Sequence, residues 1–225
     1  MKNECLNCAC VMKSMQALKS CQLEQLESNH AIVQFQKGDP IIKQGMFSTN
    51  VVFLKRGLVK IHIAGPYHEQ IVRLAKAPTY LGLPTTIGDK INQYSVTAVQ
   101  DSEVCFIDLN IFKRVLEENK DFSSYIILEL CKSELESYRR CANRTQKQTR
   151  GNLADVLLDL SENVFESTEF VLPISQSDLG NLVDASRESV NRLLSELMND
   201  GIIRMEGRKI EILNKYSLQL ISQNG

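Results

Sequence analysis

No glycine and no proline occurs between Leu109 and Arg150. These two residue types are the strongest local breakers of regular structure, so a run this long without them constrains the fold more than any other feature. Phe112, Val115 and Leu116 make a short apolar face within it. Phe122, Ile126, Ile127, Leu130, Leu135 and Tyr138 then recur at helical spacing. A helix from Phe122 to Lys147 is about 39 Å long at 1.5 Å per residue, more than a small domain spans. Its apolar stripe needs a partner, and the expected partner is the same helix of a second subunit.

The texture differs on either side of this run. Towards the N-terminus, short β-rich segments appear at Ile32–Phe35, Val51–Leu54, Val59–Ile63, Gln70–Leu74, Tyr94–Val99 and Val104–Ile107. Turn signals separate them at Gly38-Asp39-Pro40, Gly45, Arg56-Gly57, Gly65-Pro66, Gly82 and Gly88-Asp89. Short strands with regular turns predict a sandwich or barrel. Residues 12–29 predict a short helix or two, preceded by an arm. The chain has 225 residues, enough for two small domains. No run of 18 apolar residues occurs, which excludes a membrane helix. The N-terminus lacks the apolar core of a signal peptide, so the expected location is the cytoplasm.

Beyond Arg150 the pattern is that of a DNA-reading unit. Gly151 is expected to break the long run and Asn152 to cap a helix carrying Leu153, Val156, Leu157 and Leu160. Phe170–Leu172 reads as a strand ended by Pro173. Ser175, with Asp178 three residues on, reads as the cap of a helix over Gln176–Val183. A tight turn at Asp184-Ala185 follows, then a second helix capped by Ser186 and ended by Gly201 just past about Asn199. Leu179, Leu182, Val190, Leu193 and Leu197 are placed to pack the two helices together, with small Gly180 at their crossing. Asp184 stands where such turns usually carry glycine, and aspartate tolerates a left-handed backbone better than most residues.

Arg187, Glu188, Asn191 and Arg192 then lie on the solvent face of the second helix, whose N-terminal residues reach base edges in the major groove. Arginine bonds guanine bidentately and glutamate accepts from the cytosine amino group. The plainer alternative is a solvated charged face. Ile202–Arg204 and Lys209–Ile212 read as a hairpin turning at Gly207-Arg208, a wing whose Arg204, Arg208 and Lys209 are placed for phosphates. The net charge of −1 gives no compositional support for nucleic-acid binding, so the DNA reading rests on this local pattern.

The sequence resembles the Crp/Fnr superfamily of bacterial transcription regulators. Gly38-Asp39-Pro40-Ile41-Ile42-Lys43-Gln44-Gly45, with Leu54-Lys55-Arg56-Gly57-Leu58-Val59-Lys60, is similar to the opening of that family's cyclic-nucleotide-type β-roll. Asn119 to Leu160 looks like its dimerisation helix and first DNA-domain helix, and Ala185 to Arg192 like its recognition helix. The resemblance implies an α+β chain: an N-terminal cyclic-nucleotide-binding-type β-roll (jelly roll), a long dimerisation helix and a C-terminal winged helix-turn-helix. The corresponding boundaries are 1–118, 119–147 and 148–225. It also implies a homodimer, double-stranded DNA as partner and contact with RNA polymerase. Arg187, Glu188 and Arg192 match the base-reading positions of the cAMP-responsive branch, which implies TGTGA-like half-sites, and Asn191 occupies a position that varies between branches. Two-fold symmetry separately predicts half-sites about one turn apart.

The sensory chemistry departs from that branch. Its phosphate cassette carries a Gly-Glu pair and an Arg-Ser or Arg-Thr pair. Here Gly82 is followed by Leu83, and Asn92-Gln93 stand where the arginine pair belongs. A cyclic phosphate then loses its bidentate, charge-assisted partner. Tyr138 falls near the adenine-contacting position, where that branch has a small hydroxyl residue. These departures argue against cAMP. An unknown small-molecule effector is expected instead, with Gly82, Arg73, Tyr94 and Tyr138 as candidate contacts and Tyr67 and His68 as weaker ones.

Seven cysteines offer another sensor. The Fnr branch holds an oxygen-labile iron–sulfur cluster on N-terminal cysteines and one β-roll cysteine. By that resemblance Cys5, Cys8, Cys10 and Cys105 are the candidate ligands, with Cys21 as substitute because Cys8 and Cys10 stand only two apart. Cys105 reads as readily as a buried apolar residue, and zinc, thiol-redox or haem sensing stay open. His30, His62 and His68 are too scattered for a metal set. No cofactor is required by the sequence. The expected function is therefore a sequence-specific regulator rather than an enzyme, since no nucleophile–base pair or phosphate loop is visible. An Fnr-like oxygen or nitric-oxide sensor is one alternative. A ligand-binding β-roll protein with a degenerate DNA domain is the other.

Overall fold

A computed structural model describes residues 13–225. Two short helices, α1 (Lys13–Gln16) and α2 (Ser20–Ser28), precede the β-roll. Its strands are β1 (His30–Phe35), β2 (Pro40–Ile42), β3 (Asn50–Arg56), β4 (Leu58–Ala64), β5 (Glu69–Lys76), β6 (Thr79–Leu81), β7 (Ser95–Ala98) and β8 (Ser102–Asp108). They form two four-stranded sheets, ordered β1-β8-β3-β6 and β2-β7-β4-β5. The six strands expected from sequence are present. The additions, β2 and β6, have three residues each, too few for an alternation to show in sequence.

Strand β3 explains the layering. Val51 and Phe53 point into an apolar cluster with Met15, Leu23 and Leu26 of the N-terminal helices, Leu18 between those helices, and Phe112 and Phe122. Val52 and Leu54, one residue out of phase, enter a second cluster with Val59, Ile61 and Val96 of the opposite sheet. Period-two geometry thus splits one strand between a helix–sheet core and a sheet–sheet core.

Helix α3 (Leu109–Glu118) is capped by Asp108, whose carboxylate accepts from the N–H groups of Asn110 and Ile111. Asn119 forms the joint to α4 (Lys120–Gln146). Its Oδ1 accepts from the N–H of Phe122, and its Nδ2 donates to the Ala17 carbonyl and to Gln22 Oε1. The apolar residues of α4 divide into two sets. Phe122 and Ile126 are buried in the first cluster, with Leu130 packed against it. Ile127, Leu128, Leu135 and Tyr138 are exposed by 59%, 47%, 63% and 62%. The single stripe expected from sequence is therefore two faces of one helix, only one of which is covered within the chain.

The remaining elements are α5 (Thr149–Asp159), β9 (Glu169–Val171), α6 (Gln176–Val183), α7 (Arg187–Asn199), β10 (Ile203–Glu206), β11 (Lys209–Ile212) and α8 (Lys215–Asn224). Contrary to the sequence expectation, Gly151 lies inside α5, whose cap is Gln148, and Asn152 is a buried helical residue. Glycine is needed there because a Cβ on Gly151 would stand 2.6 Å from the Gly225 carbonyl oxygen. The wing hairpin carries a third strand, since β9 pairs with β11 and the order is β10-β11-β9. The chain divides into two compact units. One comprises the residues up to Ala64 with Val72–Glu136, and the other Gly65–Ile71 with Ser137–Gly225.

Candidate nucleic-acid interface

Local sequence builds the helix-turn-helix. Ser175 accepts from the N–H of Asp178 while the Asp178 carboxylate accepts from the N–H of Ser175, a closed capping box at the start of α6. Helix α6 ends at Asp184 in the left-handed region, with φ of 58°. Ser186 caps α7 by accepting from the N–H of Ser189 at 3.1 Å. Between them the two backbones come close. A Cβ on Gly180 would stand 2.5 Å from the Ala185 carbonyl oxygen. Val190, Leu193, Leu194 and Leu197 are buried on the inner face of α7.

Arg187, Glu188 and Arg192 are exposed on the other face. Asn191 is half-buried, and its side-chain oxygen is enclosed without a hydrogen-bond partner. Arg187, Glu188 and Arg192 therefore share the outer face of one helix capped by Ser186, as the sequence pattern anticipates, whereas Asn191, expected beside them on the solvent face, is partly enclosed. The wing cations have partners within the protein. Arg204 pairs with Glu211 at 2.8 Å and Lys209 with Glu169 at 2.6 Å. The hydrogen bond to Glu169 holds the Lys209 ammonium above its ordinary pKa. Arg208 is turned inward, donating from Nε and Nη2 to the Leu172 carbonyl and from Nη2 to that of Ile174. It ties β9 to the start of α6. Glu169, Glu206 and Glu211 surround Arg204 and Lys209 on the same face. Residues 137–225 carry eleven Lys and Arg against twelve Asp and Glu. Any phosphate contact from this unit is thus made against a nearly neutral background.

Sequence reasoning missed the residues that hold the turn. The last carbonyls of a helix lack intrahelical partners. For α6 they are met by side chains far away in sequence. Gln70 Nε2 donates to the Asn181 carbonyl at 2.5 Å, and Arg144 Nη2 to that of Leu182 at 3.3 Å. Arg144 Nη2 also donates to the Ile71 carbonyl at 2.6 Å, joining the Gly65–Ile71 segment to the same point. His68 Nε2 stands 3.8 Å from the Asp184 carboxylate. Burial draws the Arg144 guanidinium below its ordinary pKa, and the charge of Asp184 opposes that shift. No local pattern signals these contacts, because the bond from Gln70 spans 111 residues.

The β-roll brings three of the candidate effector residues together. Tyr94 is held above its ordinary pKa by burial, opposed by the Arg73 charge and by the Gly82 N–H bonded to it. Gly82 has φ of 74°, a conformation that favours glycine. Leu83 is buried in the apolar core. Asn92 Oδ1 accepts from Thr85 Oγ1 at 3.3 Å, and the Gln93 amide binds the Asp89 carboxylate. The residues standing in place of the acid and the arginine are therefore apolar or locally bonded amides. Leu83, Asn92 and Gln93 therefore offer no cation to a phosphate, and the cation beside Tyr94 and Gly82 is Arg73. Tyr138 belongs to the other compact unit and is exposed.

Cys105 is 4% exposed, in the apolar cluster that contains Met15 and Leu18. Cys21 is exposed. Cys5, Cys8 and Cys10 lie outside the described residues. Among the described residues no group of three or more His, Cys, Asp or Glu is placed to hold a metal ion. His30 Nδ1 bonds the Glu27 carbonyl and His62 Nε2 bonds Thr97 Oγ1, ordinary structural roles. Among the described residues no helix is long and apolar enough to cross a membrane.

Comparison with known proteins agrees with this architecture. Residues 32–119 match the cyclic nucleotide-binding domain and residues 151–221 the Crp-like helix-turn-helix domain. A Rhizobium leguminosarum bv. viciae protein, named a probable transcriptional activator, is 28% identical over 196 residues, covering 84% of this chain and 80% of its own. The fumarate and nitrate reduction regulatory protein of Vibrio cholerae is 24% identical over 224 residues, covering 95% of this chain and 88% of its own. The fold matches the structure of FixK2 from Bradyrhizobium japonicum with a TM-score of 0.78 at 18% identity, covering 85% of this chain and 96% of that one. With a cyclic-nucleotide-type β-roll and a Crp-like helix-turn-helix in one chain, the protein belongs to the Crp/Fnr family of transcription regulators.

Proposed function

We propose that the protein acts as a homodimer and reads a palindromic DNA operator through Arg187, Glu188, Asn191 and Arg192, with Ser186 as helix cap. One observation carries this reading. The first two turns of α7 expose Arg187, Glu188 and Arg192, while Val190, Leu193, Leu194 and Leu197 anchor the opposite face. A helix held in this way can enter a groove without losing its core contacts. The phosphate-positioning role of Arg204, Arg208 and Lys209 requires Arg204 and Lys209 to leave their carboxylate partners. Arg208 serves chiefly to fix the wing.

Helix α4 is the proposed contact with the second copy. Leu128, Cys131, Leu135, Tyr138, Ala142 and Thr145 alternate by three and four residues, and all are exposed. That spacing suits the a/d seam of a two-stranded coiled coil. The β-roll then senses a small molecule other than cAMP, and its binding shifts the dimer between states of different DNA affinity. Regulation proceeds from the cytoplasm through RNA polymerase or by operator occlusion. The test is selection from a randomised duplex library by the purified full-length protein, followed by anisotropy titration on the selected sequence. A two-fold symmetric consensus that Arg187→Ala and Arg192→Ala no longer prefer supports the reading. Selection of no consensus removes it and favours a ligand-binding protein with a degenerate DNA domain.

A second reading is an Fnr-like iron–sulfur sensor, favoured by one observation. Cys105 lies in the same apolar cluster as Met15 and Leu18, a few residues after Cys5, Cys8 and Cys10. Those four thiols would hold the cluster, which supplies an oxygen- or nitric-oxide-labile charge centre when bound. Protein purified without oxygen then contains iron and acid-labile sulfide in near-equal amounts and bleaches in air. Colourless, metal-free protein that binds DNA removes this reading and leaves the first intact.

A further inference from the structure

Arg192 carries a restraint that the DNA-reading pattern does not include. Glu196, one turn further along α7, accepts from Arg192 Nη1 at 2.9 Å through Oε1. Its Oε2 faces Arg150 Nη1 at 4.0 Å. Arg150, in the first turn of α5, binds the Asp200 carboxylate at 2.6 Å through Nη2. The run Arg192–Glu196–Arg150–Asp200 thus joins the outer face of α7 to a second helix. An isolated exposed ion pair at this spacing holds a side chain weakly. Here the carboxylate is hydrogen-bonded by Arg192 on one side and lies within ion-pair range of Arg150 on the other, and it is 37% exposed, whereas Arg192 is 69% exposed. Among the described residues, only Nη1 of Arg192 is engaged. Its Nε–Nη2 edge carries the bidentate geometry that reads guanine O6 and N7.

We propose that Glu196, held by Arg150, is the positioning residue that gives Arg192 its base specificity. It keeps Nη1 while the Nε–Nη2 edge meets a base. A guanine in register is read without breaking the ion pair. A phosphate lies to the side of the base edges, so turning the free edge towards one swings Arg192 away from Glu196 and breaks the pair. The restraint therefore penalises non-specific contact and leaves the specific one unpenalised, which is how discrimination rises. It also reduces the side-chain ordering left to be lost on binding. The inference rests on the reading of α7 as the base-reading helix.

The test compares Glu196→Gln with wild type in the full-length protein, each with Arg192 present and with Arg192→Ala. The probes are the selected palindrome, its single-base-pair variants and a scrambled duplex, titrated over a range of salt. With Arg192 present, Glu196→Gln is expected to bind the scrambled duplex more tightly, with a salt slope steeper by about 0.9 for each phosphate newly contacted. Discrimination at the base pair read by Arg192 falls about two- to fivefold, the range of an exposed ion pair. In the Arg192→Ala background neither quantity changes. Arg150→Ala, which loosens Glu196 from its far side, gives a smaller effect of the same sign. A merely structural role moves the melting temperature without moving the salt slope. The inference is overturned if Glu196→Gln tightens scrambled binding equally in both backgrounds, which is simple loss of a negative charge. It is also overturned if discrimination is unchanged. If Arg192→Ala alone alters no base preference, the reading of α7 fails and the inference fails with it, an outcome distinct from the other two.

Discussion

Gln70 donates a hydrogen bond to the backbone carbonyl of Asn181 at 2.5 Å, so a side chain from the Gly65–Ile71 segment closes the last turn of the first helix of the helix-turn-helix. Arg144 does the same for Leu182 and holds the Ile71 carbonyl with the same nitrogen. A cation at a helix C-terminus is also favoured by the helix dipole. Arg144→Met removes the charged donor and keeps much of the stem packing. It is expected to destabilise the C-terminal unit by about 1.5–3 kcal/mol, the range for hydrogen bonds to charged groups. Urea unfolding followed by circular dichroism measures it, and a change below about 0.5 kcal/mol makes the contact an incidental surface one.

The turn between α6 and α7 makes two opposite predictions. Gly180→Ala places a methyl 2.5 Å from the Ala185 oxygen, a contact that only backbone displacement relieves. The expected cost is about 1–3 kcal/mol, with loss of operator binding because α7 is displaced. Asp184→Gly relieves a left-handed aspartate and sacrifices the approach of His68. It is expected to be neutral or to stabilise by up to about 1 kcal/mol, while a β-branched Asp184→Val destabilises by at least that much. Thermal melts of the three variants check both signs.

The β-roll contains an acid-sensitive pair. Glu103 accepts from Lys55 Nζ at 2.7 Å and from Gln34 Nε2 at 2.8 Å, and these bonds hold its carboxyl below the ordinary 4.5. A carboxylate whose folded pKa is depressed contributes stability that is present above the unfolded pKa and is lost as pH falls through the folded one. Wild-type stability is thus expected to fall more steeply than that of Glu103→Gln as the pH drops below the ordinary carboxylate range. Parallel curves for the two proteins would show that the pair contributes nothing.

The proposed dimerisation through α4 makes a covalent prediction. Cys131 falls on the exposed three-four repeat between Leu128 and Leu135, while Cys141 falls one position off it, before Ala142. In a parallel coiled coil a seam residue meets its own symmetry mate. Mild oxidation with diamide is expected to give a disulfide-linked dimer on a non-reducing gel. Cys131→Ser abolishes it and Cys141→Ser does not. Leu135→Asp is expected to shift the light-scattering mass from twice 25.5 kDa towards the single chain. A Leu135→Asp protein that stays dimeric would place the interface elsewhere.

What the sequence determined by itself is local. The capping box at Ser175 and Asp178, the left-handed Asp184, the Ser186 cap and the wing hairpin all lie within a few residues of the groups they bond. Turn chemistry and periodicity are sufficient there. Strands long enough to show their period were legible, and the three-residue β2 and β6 were not. The tertiary structure alone decided which side of α4 is covered, because periodicity marks an apolar residue without saying what packs on it. It decided that Gly151 serves a close backbone approach rather than a helix break. It also decided that Arg204 and Lys209 of the wing are neutralised by Glu211 and Glu169, and that Gln70, Arg144 and Arg150 brace the helices around the exposed face of α7. Long side chains choose partners by position in space, and that position is set by the packed core rather than by neighbours along the chain.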